Sequence, residues 1–278
     1  MFSVIEQVLQ KINEESYASN PLFEALVDYR NTGLGDQNEF IVPDRSLFLV
    51  SEVADGTQGL RRQRISGERT FSVTPTYKGV RIFEELSRVL SGRIDFNELI
   101  DRVSRSMNYR IYTDILNVLG GLGEADLGAE YINATGTYTE QELLELIDHV
   151  EADTGLPAIV YGTRNALSKV TIDAVAAGAE AAKTDKYTGW HYGTFHGAPM
   201  VSFPNAHKPG TSEFVLNNDR IYVYAGGEKP IKFVNEGDAI IIPGNPQDNA
   251  DLTQEFLYME KYGVAAAVVD KMGVYDIA

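Results

Sequence analysis

No cysteine occurs anywhere in the sequence. That excludes disulfides, thiolate metal sites and a cysteine nucleophile, and it is compatible with a reducing compartment. Long apolar runs are also missing. The longest, Val264 to Val269, is strand-sized, so no membrane-spanning helix is expected. The start, MFSVIEQVLQKINEES, lacks the basic lead and apolar stretch of a signal peptide. Basic residues are scarce, 24 Lys+Arg against 40 Asp+Glu, for a net charge of −16. A protein whose main task is gripping nucleic acid needs a basic face, so that class is disfavoured. A container holding DNA is not, because like charge keeps the cargo from sticking.

Motifs for catalysis are lacking too. There is no G-x-S-x-G elbow and no G-x-x-x-x-G-K-[ST] phosphate loop. Gly120, Gly121 and Gly123 follow a helical pattern rather than a strand, the reverse of a dinucleotide site, and read as a C-cap and hinge. His191 and His196 lie five residues apart among Gly193, Gly197 and Pro199, which is not ligand spacing on a helix. A structural or surface role is expected for both, and His149 and His207 have no partner motif. Glu140, Glu142 and Glu145 could pair as catalytic acids, but among 40 acids chance pairing is the default reading. No catalytic, cofactor-binding or metal-ligating set is therefore assigned.

What is present is an ordinary globular composition, 44% hydrophobic over 278 residues, enough for one large domain or two linked ones. Phe2, Ile5, Val8, Leu9 and Ile12 give a helical start that Asn20-Pro21 stops; Pro21 to Phe40 reads as an extended arm or irregular loop. Ser46 to Ser51 and Arg61 to Val73 alternate around the turn residues Ala54 to Gly59, which predicts a long β-hairpin. The return limb is unusually polar, so the hairpin should project onto a partner, since an isolated ribbon is marginally stable. A short helix is expected over Ile82 to Leu90. A long one follows from about Asp95 to Leu119, uninterrupted by Pro or Gly and roughly 35 Å long.

Beyond the glycines, Ala129 to about Pro246 reads as an α/β region. Thr139 caps a helix over Glu140 to Val150, and Pro157 to Gly162 is a buried strand. Helical stretches are expected at Arg164 to Ser168 and Ala174 to Lys183. Short strands follow at His191–Tyr192, Ala198 to Ser202, Arg220 to Tyr224 and Pro230 to Val234. The tail reads as strands at Phe256 to Met259, Gly263 to Val269 and Gly273 to Tyr275.

The hairpin's basic limb carries Arg61, Arg62, Arg64 and Arg69. Three readings apply: nucleic-acid contact, solvated charge, or docking onto an acidic neighbour. The third is favoured, because the chain supplies Glu84, Glu85, Asp95, Glu98 and Asp101 near the long helix, and complementary charge between copies would fix register.

The order of these elements resembles the tailed-bacteriophage major capsid protein family, whose Hong-Kong-97-like α+β fold is shared with encapsulin shells. Leu156 to Leu167 is similar to the family's strand-then-helix entry to the axial domain. Gly197-Ala198-Pro199-Met200-Val201 is similar to the strand after it, and Asp251 to Ala265 to its closing strands. The resemblance covers nearly the whole chain. It implies an N-terminal arm over 1–44, an extended loop over 45–75, and a peripheral domain over 76–128 and 251–278 with a spine helix about 95–119. The axial domain would be 129–250.

It further implies hexamers and pentamers tiling an icosahedral shell around packaged double-stranded DNA, in the virion, after assembly in the host bacterial cytoplasm. Portal, scaffolding and decoration proteins would be partners, and there would be no cofactor and no membrane. Two departures matter. Met1 to Asp44 is too short for the scaffolding segment that some members carry, which implies a separate scaffolding protein or a mature form. No lysine lies between Arg45 and Tyr77, so the covalent lysine–asparagine joining of some members is not expected. An encapsulin compartment is the alternative within the fold. A soluble α/β enzyme with an acidic cleft is the alternative outside it, and the long polar hairpin argues against it.

Overall fold

The computed structural model describes residues 21–42, 48–53, 55, 59, 62–64, 69–85, 96–133, 136–170, 193–208, 210–244, 253–268 and 272–277. The expected N-terminal helix, the helix at Ala174 to Lys183 and the strand at His191–Tyr192 lie outside them.

One strand organises the first half of the molecule. Thr253–Ala266 (β12) pairs antiparallel along ten residues with Thr76–Glu85 (β4). Its other edge takes Ile240–Pro243 (β11) against Phe256 to Met259, then Ile231–Glu236 (β10) against Tyr262 to Ala266. Val27–Thr32 (β1) adds in parallel to β10 and follows directly on the short helix Pro21–Leu26 (α1). The segment after Pro21 is therefore an integral sheet edge rather than an arm. Its apolar stretches, read as irregular, pack Phe23, Leu26 and Val27 into the core.

Side chains alternate across this sheet. Tyr258 and Tyr262 of β12 and Phe233 of β10 point to the inner face. There they meet the helix Phe96–Gly120 (α2), the long helix expected from the sequence. Its buried side is Val103, Met107, Ile111, Ile115 and Leu119, spaced four apart. Each contributes about 1.5–3 kcal/mol on burial. That outweighs the weak helix preference of its β-branched residues, so packing against the sheet holds the helix in place.

A polar tie reinforces this packing. Asp114 of α2 accepts from Lys78 Nζ at 2.6 Å, Arg110 Nε at 3.3 Å and the Tyr262 hydroxyl at 3.1 Å. Lys78 also lies 3.9 Å from the centre of the Tyr262 ring. Burial, then the charge of Asp114, pushes the Tyr262 phenol well above its ordinary value.

Of the helix expected over Ile82 to Leu90, Ile82 to Glu85 instead continue β4, and 86–90 lie outside the described residues. Val80 and Ile82 face the core while Tyr77 and Phe83 face out, so both parities of the strand are apolar and the pattern mimics a helical stripe. Likewise Phe256 to Met259 and Gly263 to Ala266 are one continuous strand, not two.

The second sheet has six strands in the order Ile132–Asn133 (β5), Met272–Asp276 (β13), Arg220–Ala225 (β9), Ala158–Gly162 (β6), Ala198–Ser202 (β8) and Thr194–Phe195 (β7). The short helix Glu124–Leu127 (α3) leads into it. Glu140–Thr154 (α4) covers one face with Leu143, Leu146, Ile147 and Val150, and Arg164–Lys169 (α5) joins it there. Tyr161, Tyr222, Tyr224 and Val274 on the other face join the core under α2. With both faces buried, β9 shows no polar alternation. Burial pushes the Tyr222 phenol up to about 12.

The 129–250 and 251–278 boundaries do not follow the sheets. β10 and β11 pair with β12 in the first sheet, whereas β13, near the chain's end, pairs with β9 in the second. Apolar pattern reports burial but not which sheet a strand joins. Thr139 precedes α4, yet its side chain makes no cap bond; its amide instead donates to the Tyr275 hydroxyl at 2.9 Å.

Arg220 joins the two halves. It grips Asp276 through Nε at 2.6 Å and Nη2 at 2.9 Å, and donates from Nη1 to the Gly120 carbonyl at 3.0 Å, at the end of α2. Lysine keeps the charge but cannot fork between both acceptors. Arg220→Lys is expected to cost about 1–3 kcal/mol, lowering Tm by roughly 2–8 °C in a calorimetric scan of the subunit. An unchanged Tm would show that the clamp contributes nothing.

Candidate assembly surface

The face of the first sheet turned away from α2 is where the predicted hairpin is rooted. Phe40–Val42 (β2) pairs antiparallel with Arg69–Phe71 (β3). This ribbon lies on the sheet through a small apolar cluster of Phe40, Val73 and Val234, flanked by Phe71 and Ala265. Arg30 stacks its guanidinium 4.0 Å from the centre of the Phe40 ring, and Asn38 Oδ1 accepts from the Val73 amide at 3.0 Å. Gly263 permits the approach. A Cβ there would stand 2.7 Å from Val73 Cγ1, 2.9 Å from the Thr74 carbonyl oxygen and 3.2 Å from Pro75 Cα.

The hairpin itself departs from expectation. Its strand pairing begins at Phe40, inside the segment read as arm. The described residues 48–53 and 62–64 are not strand. The two limbs are nevertheless side by side, because Gln63 bonds the Leu49 backbone twice, accepting at 2.8 Å and donating at 2.7 Å. Phe48, Leu49, Val50 and Val53 all stand exposed, Val50 at 92%.

A second apolar surface lies beside the ribbon on the same sheet face. Tyr77 and Phe83 of β4 project outward, Phe83 66% exposed, as do Ile240 and Ile242 of β11. Register places Leu257 and Met259 of β12 between them. Gly79 makes room for Met259, whose Cγ would lie 2.8 Å from any added Cβ. Arg81 bridges to Glu255 through Nε at 2.9 Å across the same face. These exposed apolar side chains, set around the Arg81–Glu255 pair, make the face a candidate contact site. Sequence reasoning missed it, although the signal was there: β4 and β12 are apolar at both parities.

Of the predicted contact residues, Arg62 and Arg64 are exposed on the return limb, and Arg69 lies in β3. Arg61 and Asp95 lie outside the described residues. Glu84 and Glu85 fall in β4 and Glu98 in α2, with side chains outside the description; Asp101 is exposed on α2. Among the described side chains, Arg62 and Arg64 form no ion pair with Asp101. His196, at a positive φ of 46°, places Nε2 2.5 Å from Glu140 Oε1, while His191 lies outside the described residues. Among the described residues no group of three or more His, Asp or Glu is arranged to hold a metal ion, and no helix is long and apolar enough to cross a membrane.

Gly263→Ala should lift the hairpin root. The expected cost is about 1–3 kcal/mol by chemical denaturation, with faster amide exchange at Val73. Gly226→Ala, where an added Cβ meets nothing within 4 Å, is the control. Equal behaviour of the two variants would contradict the packing described.

The comparisons with known proteins agree with this arrangement. A family described as "SPbeta prophage-derived putative capsid protein YonB" matches residues 1–276. No curated protein matches the sequence. Solved structures share the fold at low identity. The capsid of Helicobacter pylori bacteriophage KHP30 is 12% identical with a TM-score of 0.63, covering 94% of this chain and 92% of that one. The capsid of cyanophage P-SCSP1u is 14% identical with a TM-score of 0.59, covering 92% and 88%. The SrpI encapsulin of Synechococcus elongatus PCC 7942 is 14% identical with a TM-score of 0.53, covering 95% and 89%. The α+β architecture is thus the Hong-Kong-97-like capsid fold, and the chain belongs to the YonB family of prophage-derived capsid proteins, structural subunits of a viral shell.

Proposed function

We propose that the chain is the major shell subunit of a tailed phage, that its copies form hexamers and pentamers, and that these tile an icosahedral shell around packaged double-stranded DNA. One observation carries the reading. The subunit has two exposed apolar surfaces, the Phe48 to Val53 strip and the outer sheet face at Phe83 and Ile242, that its own fold leaves unmated. They are different surfaces, so mating one to the other between copies is a heterologous contact. Such a contact closes into rings when the rotation permits.

In this reading the hairpin of one copy lies over the outer face of its neighbour. Arg61, Arg62, Arg64 and Arg69 then steer docking toward acids among Glu84, Glu85, Asp95, Glu98 and Asp101 of that neighbour. The first sheet with α2 serves as the peripheral domain and the second sheet with α4 as the axial domain. A scaffolding protein, a portal and decoration proteins complete the particle. The likeness to the SrpI encapsulin supports a second reading, a cellular compartment of the same fold. A cargo-enzyme gene beside this one would favour the compartment; portal and terminase genes would favour the phage shell.

The test is negative-stain electron microscopy of the purified chain, with and without its neighbouring genes. Closed shells or six- and five-membered rings are expected from the unmodified chain. The triple reversal Arg61→Glu, Arg62→Glu, Arg64→Glu should leave small soluble species with an unchanged circular dichroism spectrum. Normal particles from the triple variant would overturn the role of charge. A uniform small species from the unmodified chain under every condition would overturn the shell.

A further inference from the structure

We propose that Phe40 and the charges around its ring form a salt-sensitive catch, which lets the root of the hairpin lift off the sheet while the rest of the subunit stays folded. The inference goes beyond the shell reading and stands without it, because the catch belongs to a single chain.

The root lies between two fixed points. Before it, the Gly35 amide donates to Glu236 Oε1 of β10 at 2.9 Å. After it, Thr76 begins the ten-residue pairing of β4 with β12. Among the described residues the ribbon between them has three paired positions, Phe40 to Val42 against Arg69 to Phe71. Its buried side chains, Phe40 and Val73 over Val234, form a cluster of their own, separate from the core under α2. Lifting the root therefore exposes little apolar area and leaves that core intact, which is the condition for a locally opening unit.

Charge supplies what so small a cluster lacks. The Arg30 guanidinium lies 4.0 Å from the centre of the Phe40 ring, and Lys232 Nζ lies 5.4 Å from it. Arg30 belongs to β1 and Lys232 to β10, so the ring ties the ribbon to two strands of the sheet. Asp28 aims both cations. Its Oδ2 accepts from Lys232 Nζ at 3.1 Å and lies 3.6 Å from Arg30 Nη2. Arg30 Nη1 also donates to the Glu39 carbonyl at 3.0 Å, next to the ring. Glu228, 4.0 Å from Lys232, joins Glu39 and Lys229 in lining an open cleft beside Phe40.

The two cations differ in access to solvent. The Lys232 side chain is 5% exposed and that of Arg30 45%. Salt at about 1 M screens exposed charges beyond about 3 Å and buried pairs much less. Added salt therefore loosens the Arg30 side of the ring and leaves Lys232 on Asp28. In the shell reading the strip at Phe48 to Val53 rides on this root, so ionic strength during assembly sets how firmly the strip is aimed.

The experiment is hydrogen exchange read by mass spectrometry on the full-length chain, held dispersed as checked by light scattering, at about 0.05 M and about 1 M NaCl. Peptides spanning 38–42 and 69–73 are compared with peptides from α2 and β12. The root should exchange about two- to fivefold faster at high salt, with the core unmoved. Phe40→Leu keeps an apolar side chain and removes the ring. It and Arg30→Gln should each show the fast rate already at low salt and lose the salt response. Asp28→Asn should open the root further, because it leaves the Lys232 charge buried without its carboxylate. Arg64→Gln, elsewhere on the hairpin, should behave as the unmodified chain. Equal protection of root and core at both salt levels would overturn the inference, since the root would then open only with the whole subunit. So would a salt response that survives both Phe40→Leu and Arg30→Gln. Neither result touches the shell reading, which stands or falls on whether closed particles form.

Discussion

The packing of α2 against the inner face of the β12 sheet is the contact on which the rest depends. β12 pairs with β10 and β11, the two strands before it, and with the distant β4, and its tyrosines, Tyr258 and Tyr262, are fully buried under the helix. Asp114 adds direction by tying one helical position to β4 and β12 together. Nondirectional burial holds the layers together, and the charged hydrogen bonds fix their register. Because the helix occupies one face of the sheet, further contacts on this layer must use the other.

That constraint explains the character of the outer face. Part of it is covered within the chain by the β2–β3 ribbon, which Gly263 admits. The remainder exposes Phe83 and Ile242 around the Arg81–Glu255 pair. In the proposed shell this face is a half-interface, and the exposed apolar strip of Phe48 to Val53 on another copy is its mate. A fold in which a projecting element and a bare sheet face come from the same chain is built for repetition.

Much of this was legible in the sequence where one period dominated. The α2 pattern, with apolar residues every three or four positions and no Gly or Pro, located that helix to within a residue. β6 and β9 were read correctly from continuous apolar runs. The order of elements pointed to the capsid fold even though no single motif did. Failure came where a strand is apolar on both sides. Ile82 to Glu85, the end of β4, passed for the start of a helix, and apolar residues on both faces of β4 hid the candidate assembly face. Sheet membership was also illegible. Nothing local tells β10 to pair with β12, or β13 to cross to β9, because those choices are made by partners remote in sequence.

The central claim is that the hairpin strip of one copy covers the bare sheet face of another. The absence of native cysteine makes it directly measurable. A small panel would combine Val50→Cys or Val53→Cys with Phe83→Cys or Ile242→Cys. Each pair would be oxidised in particles confirmed by electron microscopy and run on a non-reducing gel, since a disulfide forms only where the two Cβ atoms come within about 4.5 Å. The account predicts a ladder of covalent oligomers from at least one pair, present in particles and absent from dispersed subunits. Intact particles yielding only monomer across the whole panel would contradict it.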